Sequence, residues 1–281
     1  MELAAISRKK QFSPNNTGND NEIFRLTIEK LKFKGFSIKE FTEEEFVSNE
    51  SVHQYYFGMY RDKQSVEKMK QLEKKGCKSI NTAKGIEQCY RDNLTQTLTK
   101  HHVPYPKSKI ISTIEDATSA LEELGGKNIW IKRGDFHAIH KEDVCFCRNT
   151  EEGNSLLREF SQRNIKSATI SQHLEGDLIK FYGVIGTDFF YWFYPYESNH
   201  SKFNQEKING ESNHYTFHEE SFKFICQQAA ICLGIVIYGG DAIISTTGEI
   251  HLIDMNDWPS FAPCKERASE AIAECIYNTF K

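Results

Sequence analysis

Hydrophobic residues recur along this chain with two different periods, which alternate from one segment to the next. Runs with period two predict strands, and stripes with three- or four-residue spacing predict helices. In the N-terminal third the predicted strands are Leu3–Ser7, Phe36–Phe41 and Cys77–Ile80. The predicted helices are a stripe from Asn19 to Gly35, then Ser65–Lys75 and Ala83–His101. This order favours a small α/β lobe with a mostly parallel sheet.

The alternation begins again after Pro104 and Pro106, which no helix interior would hold. The later predicted strands are Ser108–Ser112, Asn128–Lys132, Val144–Arg148, Ser167–Leu174, Ile179–Ile185 and Asp188–Tyr194. The later predicted helices are Ile114–Leu124, Glu151–Arg163, Glu220–Leu233 and Lys265–Phe280. We therefore predict an N-terminal domain over 1–104 and a second domain over 105–281, divided into lobes of about 105–173 and 174–281.

Two predicted strands near the C-terminus, Val236–Ser245 and Glu249–Asp254, are joined by a Thr-Thr-Gly turn. Asp241 lies in the first strand, and Asp254 and Asn256 lie where the second strand ends. Residues two apart in a strand share a face, and the turn brings the two carboxylates together. Carboxylate and amide oxygens are ligands that Mg²⁺ prefers. The alternative is a surface hairpin with scattered acids.

Two further segments carry side chains suited to a nucleotide. Lys132 ends the strand I-W-I-K, from which a lysine can reach a phosphate, although a solvated lysine is the alternative. The linker Gln172–Leu174 can offer backbone groups to an adenine edge. Asp177, the acid after the next glycine, can accept hydrogen bonds from ribose hydroxyls.

This ordered series of segments resembles the ATP-grasp superfamily over about residues 78–278. The matching pieces are N-T-A-K-G-I-E-Q-C-Y-R-D-N, I-W-I-K, Q-H-L-E-G-D, G-G-D-A-I-I and L-I-D-M-N-D-W-P-S-F. The resemblance implies an α/β class with α+β lobes, in which an ATP-grasp fold follows an N-terminal pre-ATP-grasp α/β domain.

The resemblance also implies a set of site residues. ATP is expected to bind Arg91, Lys132, Gln172, His173, Leu174, Asp177 and Lys180. Two Mg²⁺ ions, with Mn²⁺ as an alternative, are expected to bind Asp241, Asp254 and Asn256. Lys180, which is expected to face the γ-phosphate, is also expected to be catalytic. Independently of the resemblance, Arg133 and His137 lie in the loop after Lys132, where they are expected to meet an anionic acceptor as catalytic residues; the alternative is a solvated loop.

Two branches of the superfamily are similar to this chain: glutathione-synthetase-like carboxylate-amine ligases and inositol trisphosphate 5/6-kinases. Asp254 stands where the ligases often carry Glu, and Gly240 stands where D-alanine ligases carry arginine. The size of the ligase branch favours a ligase that works through an acyl-phosphate. Asn93 stands where a nucleotide-binding lysine is expected, with Arg91 as a substitute. A nucleotide-binding protein that has lost catalysis is therefore a third reading.

The composition limits the classes of binding partner that we expect. The chain is 39% hydrophobic and 26% charged, with a net charge of −4, so no general electrostatic attraction to nucleic acid or to an anionic membrane is expected. The N-terminus lacks the apolar core of a signal peptide. Eight cysteines include no C-x-x-C pair, which is typical of a reduced, cytoplasmic protein. The expected partner is a small-molecule or peptide acceptor substrate.

One long polar segment, Pro195–Glu219, is expected to be a mobile lid over the site. Lys202, Lys207, His214 and His218 would then contact phosphate or an anionic acceptor. The alternative is a solvent loop with no part in catalysis.

Overall fold

The structure is a computed structural model that describes residues 1–13, 16–195 and 208–281. Within these residues three four-stranded sheets follow one another along the chain. The first contains β1 (Glu2–Ile6), β2 (Ser37–Phe41), β3 (Tyr55–Gly58) and β4 (Lys78–Ile80). Its order is β2-β1-β3-β4 and every pairing is parallel, as the sequence predicted. Its helices are α1 (Thr17–Phe33), α2 (Glu43–Ser48), α3 (Lys63–Lys74), α4 (Ala83–Gln88) and α5 (Arg91–Lys100).

Two elements of this lobe differ from the prediction. The aromatic patch around Tyr56 forms a buried strand, since Tyr56 and Phe57 are both removed from solvent. The single helix predicted over Ala83–His101 is two helices. The first ends at Gln88, and the second begins at Arg91 after a break at Cys89 and Tyr90. This break places Arg91 in the first turn of α5.

The second sheet contains β5 (Ser108–Ser112), β6 (Ile129–Arg133), β7 (Val144–Cys147) and β8 (Ser167–Gln172). Its strands are antiparallel, in the order β5-β8-β6-β7. Two helices pack on it, α6 (Thr118–Glu123) and α7 (Thr150–Gln162). Their apolar side chains, such as Leu121, Leu157 and Phe160, share one core with Ile129 and Ile131 of β6.

The third sheet contains β9 (Asp177–Val184), β10 (Phe190–Phe193), β11 (Ile237–Ile244) and β12 (Ile250–Asp257). It is also antiparallel, in the order β10-β9-β11-β12. The helix α8 (Glu219–Leu233) packs on it through Phe222 and Cys226, and α5 joins the same core through Leu94 and Leu98.

The last helix, α9 (Lys265–Phe280), returns to the first lobe and packs beside α1. Polar contacts tie the same two regions together. Arg8 donates from Nη2 to the carbonyl of Trp258 at 2.7 Å, and Asn81 donates from Nδ2 to the carbonyl of Ile237 at 2.7 Å. The first and third sheets are thus fixed against each other, and the domain boundary predicted near residue 104 stays a prediction.

Two composition-based expectations bear on the described residues. The cysteines are free, and most of them are buried in the cores, where a thiol acts as a small hydrophobic group. In the described part of the chain, no helix combines the length and apolar character that crossing a membrane requires.

Candidate active site

A cavity of about 440 Å³ lies between the second and third sheets, with α5 and the end of the first lobe closing its sides. This volume is in the range of small-molecule sites, which run from about 300 to 1,000 Å³. The lining has three regions: an apolar slot, a charged wall and a polar end.

Apolar side chains form the slot. They come from both sheets and from the preceding loop: Pro106, Trp130, Val144, Leu178, Ile243 and Ile253. An apolar region lined by branched aliphatic residues and one indole suits a planar base. The indole of Trp130 is held in place because its Nε1 donates to Nδ1 of His173 at 3.1 Å.

The predicted adenine linker Gln172–Leu174 borders this slot. The backbone N–H of Gln172 donates to the carbonyl of Lys107 at 2.9 Å, and that of His173 donates to the carbonyl of Asn128 at 3.1 Å. The carbonyl of Leu174 accepts from Nδ2 of Asn209 at 3.1 Å. These three groups therefore have partners within the protein. Their predicted contact with adenine stays a prediction.

The charged wall runs across three neighbouring strands of the third sheet. Asp241 of β11 is the register partner of Lys180 on β9 and of Asp254 on β12. The Nζ of Lys180 lies 2.9 Å from Oδ1 of Asp241. Asn256, two residues after Asp254, also lines the cavity. The structure thus brings together the three residues predicted to bind metal.

A bulge in β12 shapes this wall. The pairing register shifts between Asp241 and Ala242, which leaves Ile253 outside the regular pairs. Bulges free backbone groups and redirect side chains beside functional sites. Here the carbonyl of Ile253 accepts from Nζ of Lys132 at 3.3 Å.

Lys132 is 7% exposed, although it lines the cavity. Burial, together with the positive charge of Arg91, lowers the pKa of Lys132 to about 8, because both disfavour a charged ammonium. A polyanion in the cavity would reverse that effect and keep Lys132 charged.

Arg91 reaches the same wall from the start of α5. Its Nη1 donates to Oδ1 of Asp254 at 2.9 Å, and its Nη2 donates to Oδ2 at 3.3 Å. Burial by itself would raise the pKa of Asp254, but the charges of Arg91 and Lys132 lower it overall. Asn93, at the position where the resemblance expects a lysine, donates instead to the carbonyl of Glu87 and does not line the cavity. Arg91 therefore supplies the cation on this side.

The polar end of the cavity lies against the first lobe, where Asn16, Asn19, Arg61, His137 and Ser260 line it. Arg61 donates from Nη2 to the carbonyl of Asp257 at 2.8 Å, and the same nitrogen lies 3.2 Å from Oδ1 of that residue.

His137 is buried at this end, with its Nε2 3.3 Å from Oδ1 of Asp257. Burial, together with the positive charge of Arg61, lowers the pKa of His137 to about 4. The imidazole is therefore neutral at neutral pH. It can form hydrogen bonds to a ligand, but it is a weak base.

Two residues predicted for the site do not line the cavity. Arg133 turns away to the carboxylate of Asp135, with Nε 2.6 Å from Oδ1. Asp177 is 2% exposed and accepts from the backbone N–H groups of Asn213 and Tyr215 at 2.7 and 2.8 Å. Each side chain is used in an internal contact here, and the site roles predicted for both residues stay predictions.

The predicted lid is only partly within the described residues. Residues 196–207, which include Lys202 and Lys207, lie outside them. His218 caps α8 by accepting from the backbone N–H of Ser221, and the ring of His214 packs on Tyr194. Neither histidine lines the cavity. A lid function stays a prediction.

Sequence reasoning missed Arg61 and Asp257. Arg61 follows the carboxyl end of β3, and ligands often bind at the carboxyl ends of parallel strands. The strand β3 was not predicted, because the run of aromatic residues from Tyr55 to Tyr60 lacks a period-two pattern. The position of Arg61 after a strand was therefore not recognised. Asp257 is one residue beyond a predicted metal ligand, but the predicted strand ended at Asp254.

The donor set at the charged wall fits a divalent cation. It offers two carboxylates and one amide oxygen, which are hard ligands, and phosphates and water would complete the coordination. Among the described residues no group of three or more His, Cys, Asp or Glu side chains is placed to hold a metal. Asp254 is also paired with Arg91, and Asp241 with Lys180. A metal ion therefore has to share each carboxylate with that cation or displace the cation.

Gly240 lies beside these carboxylates and has no room for a side chain. A Cβ there would sit 2.1 Å from the carbonyl oxygen of Asp254 and 2.8 Å from Cζ of Phe181. The arginine that the resemblance places before Asp241 in D-alanine ligases therefore has no counterpart at this position.

Comparison with solved structures gives matches over nearly the whole chain. D-alanine–D-alanine ligase from Bacillus anthracis, complexed with ATP, is 13% identical, with a TM-score of 0.67 and coverage of 99% of this chain and 98% of that chain. A RimK domain ATP-grasp protein from Sphaerobacter thermophilus is 12% identical, with a TM-score of 0.68 and coverage of 99% and 100%. D-cycloserine synthetase DcsG is 12% identical, with a TM-score of 0.68 and coverage of 98% and 99%.

At the level of sequence, no protein-family profile and no curated protein matches this chain. The similarity is therefore a similarity of fold. One fold carries many reactions, so the reaction has to be argued from the cavity.

Proposed function

Because the chain has the ATP-grasp fold, we propose that it is an ATP-dependent ligase that joins a carboxylate to an amine through an acyl-phosphate. One observation carries the proposal. A slot suited to a planar base adjoins a wall on which three cations surround two carboxylates, Asp241 and Asp254. Two of the similar solved structures are a ligase and a synthetase by name, which favours this class.

The base of the nucleotide binds in the apolar slot, and its phosphates bind at the charged wall. The base lies among the apolar side chains around Trp130 and Leu178. Lys132, Lys180 and Arg91 then bind the phosphates, whose negative charge grows at the leaving oxygen during transfer. Three cations against two carboxylates leave the wall with a net positive charge, which a polyanion neutralises.

The metal ligands are Asp241, Asp254 and Asn256, which would hold Mg²⁺ against the phosphates. When bound, such an ion neutralises phosphate charge and orients the transferred group. Whether one or two ions bind is left to a metal titration.

The reaction has two steps. An oxygen of the acceptor carboxylate bonds to the γ-phosphorus, while the bond from that phosphorus to the β–γ bridging oxygen breaks and ADP leaves. The amine nitrogen then bonds to the acyl carbon, and phosphate leaves with the electron pair of its bond to carbon. The nitrogen loses its proton to solvent. Lys180 pairs with Asp241, one of the two carboxylates proposed to bind metal, and we assign it to bind the transferred phosphoryl group.

The acceptor occupies the polar end of the cavity. Arg61 and His137 line it there, and Arg61 is held by its hydrogen bond to the carbonyl of Asp257. Since His137 is neutral, it orients the acceptor by hydrogen bonding and adds no charge. Arg61 is the charged group at this end and suits an acceptor with a carboxylate.

A kinase is the second candidate, and Gly240 favours it. No side chain is accommodated there, so the cationic group that D-alanine ligases place at this point is missing. A kinase needs only the first transfer, to a hydroxyl oxygen, and the reaction ends at the phosphate ester.

The deciding experiment follows the γ-phosphate of labelled ATP with pooled amino acids, peptides and polyols. ADP and free phosphate that appear only when an amine is present identify a ligase. Label retained on the acceptor identifies a kinase. Calorimetric binding of an ATP analogue without turnover in any pool identifies a binding protein. Absence of analogue binding contradicts the proposal altogether.

A further inference from the structure

Both carboxylate oxygens of Asp254 are bound by one guanidinium, that of Arg91. We propose that Arg91 masks Asp254 until nucleotide binds, and that Arg91 then moves to a phosphate, so that the divalent cation binds well only together with the nucleotide. The nucleotide half of this inference rests on the proposed function; the masking half does not.

The contact is strong enough to compete with a metal. Arg91 is 7% exposed, and its two hydrogen bonds to Asp254 measure 2.9 and 3.3 Å. Paired hydrogen bonds between arginine and a carboxylate are among the strongest in proteins. A metal ion that binds Asp254 must either displace Arg91 from the carboxylate or bind beside its positive charge, which repels the ion.

The second carboxylate is compensated in the same way. Lys180 lies 2.9 Å from Oδ1 of Asp241. The remaining ligand, Asn256, is uncharged. A free metal ion therefore meets two acids whose charges are already balanced, and its affinity without nucleotide should be weak.

Arg91 can change partner without a movement of its helix. The next residue, Asp92, accepts hydrogen bonds from Ser167 at 2.6 Å and from Thr169 at 3.0 Å, and these bonds fix the start of α5 on β8. Arg91 lines the cavity beside the residues proposed to bind phosphate. Rotation of its side chain alone exchanges a carboxylate for a phosphate, which arginine binds with the same fork geometry.

The first test measures Mn²⁺ binding without nucleotide, by electron paramagnetic resonance. Arg91→Met should bind Mn²⁺ at least about tenfold more tightly than the wild type, because a competing charge is removed from the site. Adding Asp254→Asn should abolish this gain. The matched control is Arg163→Met, which removes a partly exposed cation from its ion pair with the buried Asp143, outside the cavity, and should leave Mn²⁺ affinity unchanged.

The second test adds a non-hydrolysable ATP analogue. The analogue should strengthen Mn²⁺ binding more in the wild type than in Arg91→Met, because only the wild type has a masked ligand to release. Without metal, Arg91→Met should bind the analogue about tenfold more weakly, since one phosphate contact is missing.

Equal Mn²⁺ affinities of the wild type and Arg91→Met without nucleotide would overturn the proposal. If the wild type binds no analogue, the proposed function fails, whereas the Mn²⁺ comparison still decides whether Arg91 masks Asp254. Should Arg91→Met fail to fold, Arg91→Lys replaces it. An ammonium cannot bind both oxygens in the fork geometry, so Mn²⁺ affinity should rise by about threefold, and no rise would count against masking.

Discussion

Arg91 and Asp92 are neighbours in the chain, but their side chains bind two different sheets. Arg91 binds Asp254 on β12 of the third sheet. Asp92 accepts from Ser167 and Thr169 on β8 of the second sheet. The start of α5 therefore joins the two sheets between which the cavity lies.

The contact of Asp92 predicts a loss of stability on its removal. Asp92→Ala leaves two hydroxyl donors, one of them on the fully buried Thr169, without their acceptor. We expect a decrease of about 1 to 3 kcal/mol in the free energy of unfolding, measured by urea denaturation. Glu67→Ala, which removes an exposed partner of Lys70, is the control and should cost less than about 0.5 kcal/mol. An Asp92 variant as stable as the control would show that this anchor is unimportant.

Asp254→Asn should lower both turnover and stability. It removes a charge that we propose binds the metal, and it leaves the guanidinium of Arg91 buried without its counter-ion, at a cost of about 3 to 5 kcal/mol. The double variant Arg91→Met/Asp254→Asn should be more stable than Asp254→Asn, because it contains no unpaired charge. A double-mutant cycle from thermal unfolding measures this coupling. Additive effects would mean that the two side chains do not interact.

Lys132 gives a prediction with a defined pH window. The pKa of Lys132 is lowered to about 8 in the folded protein, from 10.5 in the unfolded chain. Below pH 8 the buried ammonium is charged in both states and destabilises the fold. Between pH 8 and 10.5 the unfolded chain binds more protons than the folded one, so this contribution to stability rises with pH.

Lys132→Met should therefore stabilise the ligand-free protein at pH 7, by about 1 to 3 kcal/mol, while weakening nucleotide binding. The gain in stability should shrink as pH approaches 10.5, which chemical denaturation at several pH values would detect. A variant less stable than the wild type at pH 7 would mean that the hydrogen bond to the Ile253 carbonyl outweighs the cost of burial.

Leu178→Trp tests the apolar slot. Leu178 is half-buried and lines the cavity, so a larger side chain should fill space proposed for the base. We expect at least a roughly tenfold loss of affinity for an ATP analogue in calorimetry, with little change in stability. The control is Phe224→Trp, at an exposed position on α8 away from the cavity. Equal affinities for the two variants would place the base elsewhere.

The segment after residue 207 should be ordered by Asp177. The amide protons of Asn213 and Tyr215 both donate to this buried carboxylate. They should exchange slowly with solvent, and Asp177→Ala should make their exchange fast while amides of β12 are unaffected. Exchange of these amides that is already fast in the wild type would contradict the contact. A further change on adding nucleotide would support the predicted lid.

Much of the fold follows from local pattern. The strand Ser108–Ser112 and the helix Lys265–Phe280 were predicted with their observed bounds. A regular period of apolar residues within a short segment is enough to indicate such a strand or helix. The predicted ATP-grasp fold is confirmed by the full-length structural matches. The helix over Ala83–His101 was predicted without its break, since nothing in its apolar stripe marks the break at Tyr90.

What the sequence alone determined about the candidate site is the placement of residues on one hairpin. Asp241, Asp254 and Asn256 were correctly brought together because strand period and a short turn fix their relation within a few residues. The side chains of Arg133 and Asp177 could not be placed in this way. Their partners are Asp135 in a loop and the backbone of Asn213 and Tyr215, and these contacts depend on how the loops fold.

The tertiary structure alone decided which charges meet. Arg91 and Asp254 are far apart in the chain, as are Lys132 and Ile253. Only the packing of α5 and of the second sheet against the third sheet brings them within hydrogen-bond distance. Burial then sets their chemistry, because the pKa of Lys132 depends on the water and the charges around it. A sequence pattern shows which charged and polar side chains are present, whereas the distances between them and their exposure to solvent are set by tertiary packing.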